Sequence, residues 1–199
     1  MSCTVEAVRD WIDRELSPAR CAHSLRVAEL AAELCRRFGT SVQAGYLAGL
    51  AHDLAREMPE HRLISLSERD GRAVSEDQAR YPVLLHGRAA AVILRHELAE
   101  GNPEILEAVA CHVTGRPGMG LLARIVFAAD FLEPGRGLLS EASRARILRM
   151  QIDGMMRRVL ERIFTYLRCE NKPIAAEALE LYRECGRKNT FVYQVRGMR

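Results

Sequence analysis

The chain has 199 residues, enough to bury one full hydrophobic core with or without a small appendage. Its composition, 48% hydrophobic and 28% charged, excludes disordered and fibrous classes, and no apolar run approaches the length of a membrane span. A net charge of +3 with no Lys/Arg block argues against nucleic acid as a partner.

In chain order, the opening Met1-Ser2-Cys3-Thr4-Val5-Glu6 lacks the basic start and apolar centre of a signal peptide, so the cytoplasm is the expected setting. Thr4 caps a first helix through Leu16, with Val5, Val8, Trp11, Ile12 and Leu16 near helical spacing. Ser17-Pro18 is a cap followed by proline at the first helical position, and opens a second helix that Gly39 ends. That helix carries His23, Val27, Leu30, Ala31 and Leu34 on one stripe. Ser41 caps a third helix running to about Ala55, and Pro59 to Ser67 is a short fourth. Residues Glu68 to Tyr81 are polar, hold the turn signal Asp70-Gly71, and read as a loop with room for motion.

Pro82 leads into a helix through about Leu98, and Asn102-Pro103-Glu104 starts another that ends near His112. Gly115 to Gly120 is a flexible connector. Leu121 to Leu132 is strongly apolar around Asp130, and Pro134-Gly135 breaks it. Glu141 to Leu167 and Ile174 to Cys185 read as amphipathic helices, with Phe191 to Val195 as a short extended piece. The fold class is all-α. The cysteines Cys3, Cys21, Cys35, Cys111, Cys169 and Cys185 form no Cys-x-x-Cys pair and are expected to be reduced and mostly buried.

The most informative feature is the doublet His52-Asp53, reached through the apolar stretch Ala44 to Ala51. Buried ionisable groups cost several kcal/mol unless paired, hydrogen-bonded or bound to metal, so about that much must be offset here. His23 upstream and His86, His112 and Asp130 downstream supply partners, giving the order His…His-Asp…His…His…Asp. Taken singly, a histidine on an apolar face is usually a satisfied core residue, and Asp130 could pair with Arg124 or Arg136. His61 and His96 sit in polar surroundings and read as solvated. Cys111 precedes His112, but adjacent helical residues point about 100° apart, which disfavours it as a ligand. Six donors exceed the four that close a structural zinc site. Imidazoles with carboxylates suit Fe, Mn, Zn or Ni better than Mg, and a surplus of donors is what a hydrolytic metal centre needs.

The order and local strings resemble the HD-domain phosphohydrolases, and more narrowly the YqeK family of symmetrical diadenosine tetraphosphate hydrolases. The strings are Arg20-Cys21-Ala22-His23-Ser24-Leu25-Arg26-Val27, Ala48-Gly49-Leu50-Ala51-His52-Asp53-Leu54-Ala55 and Leu85-His86-Gly87 with Ala89-Ala90. They continue with Ala108-Val109-Ala110-Cys111-His112-Val113-Thr114-Gly115 and Ala128-Ala129-Asp130-Phe131-Leu132-Glu133-Pro134-Gly135-Arg136. The likeness spans roughly residues 20 to 150. It departs at Arg56, where the family usually has Lys, and at Val113, where it usually has Thr; both bear more on substrate preference than on reaction type.

The resemblance implies an HD-domain helical bundle with C-terminal helices, one domain over residues 1–199 with its metal core at about 18–138 and a helical segment at about 140–199. It implies hydrolysis of diadenosine tetraphosphate to two ADP, with iron as the metal and Mn, Co or Zn as substitutes. On this basis His23, His52, Asp53 and Asp130 are expected to hold one ion. His86 and His112, with Asp53 bridging, are expected to hold a second. Asp53, Arg56 and His86 are the expected catalytic residues. Arg20, Arg56 and Arg136 are the expected phosphate contacts. Thr114-Gly115 are expected to bind substrate, shaping the pocket floor or meeting a substrate oxygen through the hydroxyl or backbone, with a helix-ending turn as the alternative. The partner is a nucleotide polyphosphate, with a homodimer allowed and no membrane. Two alternatives stay open: an HD phosphatase or phosphodiesterase for another nucleotide, and a nucleotide-binding module without turnover.

Overall fold

The computed structural model describes residues 3–186, which form eleven α-helices and two 3₁₀ turns. The expected extended piece at 191–195 lies outside the described residues. The helices are α1 (Val5–Glu15), α2 (Pro18–Phe38), α3 (Val42–Ala51), α4 (Glu60–Glu68), α5 (Glu76–Arg80) and α6 (His86–His96). They continue as α7 (Pro103–Cys111), α8 (Leu121–Leu132), α9 (Glu141–Leu148), α10 (Ile152–Cys169) and α11 (Ala176–Gly186). No described helix is long and apolar enough to cross a membrane.

The early boundaries follow from the caps. Thr4, Ser17 and Ser41 each accept a backbone N–H of the first turn, and Gly39 closes α2 in the left-handed region at φ 71°. Helices α2 and α3 lie against each other so closely that a Cβ on Gly49 would sit 2.7 Å from Ala28 Cα. Helices α7 and α8 pack beside them, α6 packs on α7, and α10 lies over α8. Val27, Leu50, Ala108, Ile125 and Leu160 from these helices are fully buried in one continuous core.

Three boundaries differ from expectation. Helix α3 stops at Ala51 rather than near Ala55. Beyond it the chain continues in i→i+3 turns, with Leu54 N–H donating to Ala51 O at 3.2 Å and Arg56 N–H to Asp53 O at 2.9 Å. The 68–81 segment is not a free loop. Ser75 and Gln78 form a capping box on α5, and the buried Arg88 guanidinium binds Asp70, Gln78 and the carbonyls of Ser67, Arg72 and Ala73. The expected helix over Glu141 to Leu167 is two helices. Arg37 of α2 donates to the carbonyls of Leu148, Arg149 and Met150, and so caps α9 from outside the local sequence.

Candidate metal centre

Each of the four imidazoles is anchored through Nδ1. His52 meets Gly49 O at 2.7 Å, His86 meets Val83 O at 2.5 Å and His112 meets Val109 O at 2.8 Å. His23 meets Glu133 Oε1 at 3.0 Å. All four partners are acceptors, so in each neutral ring Nδ1 carries the proton and Nε2 presents a lone pair; the tautomers are assigned from this network. The Nε2 atoms converge, His23 with His52 at 3.2 Å and His86 with His112 at 3.0 Å. Two lone pairs facing each other at that distance repel unless a proton or a metal ion lies between them. The donor set therefore fits a metal, and the anchored Nδ1 is the outer support that imidazole ligands take.

Asp53 divides the set. Its Oδ2 lies 3.3 Å from His52 Nε2 and 3.7 Å from His23 Nε2, and its Oδ1 lies 3.2 Å from His86 Nε2 and 3.6 Å from His112 Nε2. Asp130 Oδ1 joins the first pair, 3.0 Å from His23 Nε2 and 3.6 Å from His52 Nε2. Donor atoms of His23, His52 and Asp130, and likewise of His52, Asp53 and His112, lie within 4.8 Å of one another. Ligands each about 2.0–2.2 Å from one ion have such separations. His52, the C-cap of α3, and Asp53, in the turn that follows, bring their side chains to one centre.

The electrostatics point the same way. Burial works against a charge on His52, but Asp53 and Asp130 outweigh it and push its pKa up to about 10. Burial, together with the charges of His52 and His86, pushes His112 down to about 4. Both carboxylates are held well below the usual range, because the imidazoles around them outweigh the cost of burying the charge. The centre thus attracts positive charge.

Above the donors lies a cavity of about 660 Å³ whose floor includes Asp53, His86, His112 and Asp130. Arg20, Arg56 and Arg136 line it. Arg20 Nη1 contacts Asp53 Oδ2 at 2.8 Å, and Arg136 pairs with Asp130. Arg124 pairs instead with Asp153 and Glu184. Thr114 and Gly115 are absent from the lining, and Val113 takes that place. Thr114 Oγ1 donates to Gly115 O at 3.2 Å, and Gly115, at φ +67°, would put a Cβ 2.5 Å from Leu181 Cδ2. Gly115 N–H donates to Cys111 O at 2.8 Å, so the two residues lie in the turn that follows α7, with Gly115 against α11. Three features were not expected from sequence. Glu133 is buried and also takes Arg26 Nε at 2.6 Å. Arg162, Thr165 and Tyr166 of α10 form the far wall, and the exposed Leu138 lies at its edge. Glu133 stands in the Glu-Pro string, which was the available signal, but the α10 residues read locally as a solvated face.

A model of the HD domain family matches residues 20–135. A protein of Halalkalibacterium halodurans named "Bis(5'-nucleosyl)-tetraphosphatase, symmetrical" is 30% identical over 174 residues, covering 85% of this chain and 90% of that protein. Its Bacillus subtilis namesake is 24% identical, covering 86% and 91%. A Clostridium acetobutylicum crystal structure, described as an HD superfamily hydrolase involved in NAD metabolism, superposes with a TM-score of 0.87 at 22% identity, covering 93% of this chain and 98% of that one. At that identity it speaks for the fold alone.

Proposed function

This chain belongs to the HD domain family, in the group whose curated relatives are named symmetrical bis(5'-nucleosyl)-tetraphosphatases, and from that premise we propose that it hydrolyses dinucleoside tetraphosphates, diadenosine tetraphosphate among them, to two nucleoside diphosphates. The observation that carries the reading is the split of Asp53: each oxygen faces its own pair of imidazoles, beneath a cavity walled by arginines. His23, His52, Asp130 and Asp53 Oδ2 would hold one ion, and His86, His112 and Asp53 Oδ1 a second. The nitrogen-rich donor set suits Fe, with Mn, Co or Zn as substitutes. Ions bound there supply Lewis acidity toward phosphoryl oxygens and lower the pKa of water.

The chain's own residues do the rest. Asp53 and His86 define the floor where the reacting phosphorus must sit. Arg56, with Arg20 and Arg136, neutralises the charge that builds as a water oxygen bonds to phosphorus and gives up its proton, the central P–O bond breaks, and the second nucleoside diphosphate leaves with the electron pair. Arg20 and Arg136 lie against the two ligand carboxylates, so they can turn from these to phosphate without crossing the cavity. The reading takes residues 18–138 as the metal core and the later helices as its cover, in a cytoplasmic enzyme acting on nucleotides rather than nucleic acid.

The test is product analysis. Full-length protein loaded in turn with Fe, Mn, Co and Zn is incubated with diadenosine tetraphosphate. ADP as sole product is expected. AMP with ATP, or no turnover with any of the four metals, would overturn the proposal.

A further inference from the structure

Helix α10 borders two cavities. One is the metal cavity. The other, about 390 Å³, lies between α9 and α10 and is lined by Arg146, Ile147, Met150 and Arg158, among others. Arg162 and Thr165 belong to both linings, so the two cavities meet along that edge of α10.

The second cavity is built for an anion with an apolar end. Arg146, Arg158 and Arg162 face a single acid, Glu161, which is already engaged by Arg158 at 2.8 Å, Arg157 at 3.3 Å and the Tyr182 hydroxyl at 3.1 Å. Arg146 and Arg162 make no ion pair among the described residues. Ile147 and Met150 add apolar surface on the α9 side. Thr165 Oγ1 donates its proton to Glu161 O at 2.8 Å, which leaves its lone pairs free to accept.

A dinucleoside tetraphosphate cut at its central bridge has two equal halves, and a bond held over Asp53 calls for a place for each half to either side of that floor. We infer that the cleft between α9 and α10, joined to the metal cavity at Arg162 and Thr165, is the subsite for the leaving nucleotide. Arg162 meets the central phosphates where the cavities join. Arg146 and Arg158 take the outer phosphate and sugar, and the base lies on Ile147 and Met150. The inference rests on the hydrolase reading above and names where the substrate's second half goes.

Arg146 is exposed, so Arg146→Glu changes the cleft without touching the metal floor or the core. The probes are ADP and a diadenosine tetraphosphate with methylene in place of the central bridging oxygen, titrated calorimetrically into the metal-loaded full chain. The variant is expected to lose about tenfold in affinity for the bridged analogue, as befits a lost charge-assisted contact, and to keep its ADP affinity within about twofold. Equal loss for both probes, no loss for either, or a wild-type chain that binds the analogue no better than ADP would overturn the subsite. Failure of the hydrolase reading registers separately, as unmodified diadenosine tetraphosphate left uncleaved by a chain that still distinguishes the two probes.

Discussion

Glu133 Oε1 stands 3.0 Å from His23 Nδ1, while its other oxygen takes Arg26 Nε and the Gly135 N–H, each at 2.6 Å. One buried carboxylate thus joins the end of α8 to α2 and turns the His23 lone pair toward Asp130. Burial works against its charge, but Arg26 and His23 outweigh this and hold its pKa below the usual carboxylate range. Glu133→Ala is expected to lower metal affinity about 10- to 100-fold, the usual cost of losing such an outer partner, and Glu133→Gln to lower it less, since an amide oxygen can still accept from Nδ1. Competition against a chromophoric chelator measures both. Wild-type affinity in the alanine variant would mean that Glu133 does not orient His23.

Gly49 serves the same centre from a different direction. Its carbonyl accepts from His52 Nδ1, and a Cβ there would lie 2.7 Å from Ala28 Cα and 3.0 Å from Val27 O. Those neighbours are backbone and cannot swing aside, so Gly49→Ala must push α2 and α3 apart. Overpacking of this kind costs about 1–3 kcal/mol, read as a lower denaturation midpoint. Because His23 rides on α2 and His52 ends α3, metal affinity should fall as well. A variant that loses stability but binds metal as tightly as wild type would show that the spacing of the two helices does not set the ligand geometry.

What the sequence carried, and what it did not, separates along physical lines. Boundaries set by adjacent residues were legible: Ser17-Pro18 and Gly39 bracket α2, and Pro134 follows α8. Boundaries set from across the fold were not. The run from Glu141 to Leu167 keeps a helical pattern through Met150 and Gln151, and it breaks where Arg37, over a hundred residues upstream, takes the carbonyls at the junction. The six donor residues stood out because ionisable groups in apolar surroundings need partners, and the structure brings those partners within hydrogen-bonding range of one another. Glu133 and the α10 wall stayed hidden for the opposite reason. Glu133 looks like any polar residue before a proline, and Arg162 and Tyr166 look like any exposed helix face until packing sets that face beside the cavity.

Arg88 offers a test of a part of the fold that read as loose. Its buried guanidinium satisfies Asp70, Gln78 and three backbone carbonyls, so Arg88→Met should cost about 3 kcal/mol or more by leaving those acceptors unpaired, and should open residues 68–81 to proteolysis. The pH dependence follows from Asp70. Burial disfavours its charge, but hydrogen bonds from Arg88 and Arg72 outweigh this and lower its pKa from 3.8 to about 2. A depressed folded-state pKa stabilises the native state above the unfolded value, and that contribution disappears as pH falls from about 4 to about 2. After allowance for solvent at the open side of the segment it amounts to about 1–2 kcal/mol. Asp70→Asn should therefore be less stable than wild type at neutral pH, with the gap closing below pH 4. A gap that is constant across that range would mean the charge of Asp70 contributes nothing.

The division of Asp53 between two pairs of imidazoles gives the most direct test of the centre. If Oδ2 serves the His23–His52–Asp130 side and Oδ1 the His86–His112 side, removing the outer members should be selective and removing the shared one should not. Asp130→Ala is expected to lose the ion of the first side and keep the other. His86→Ala should do the reverse, and Asp53→Ala should lose both. Elemental analysis of protein purified without chelator reads the stoichiometry, and circular dichroism checks that each variant keeps its helices. Asp53→Ala protein with the same metal content as His86→Ala protein would refute the bridging role, since one oxygen would then be dispensable to the side it faces. The same series separates binding from chemistry. Arg56 makes no contact with the donor atoms, so Arg56→Ala should keep its full complement of metal while cleavage falls about 100-fold, the scale of losing a charge-assisted contact made in the transition state.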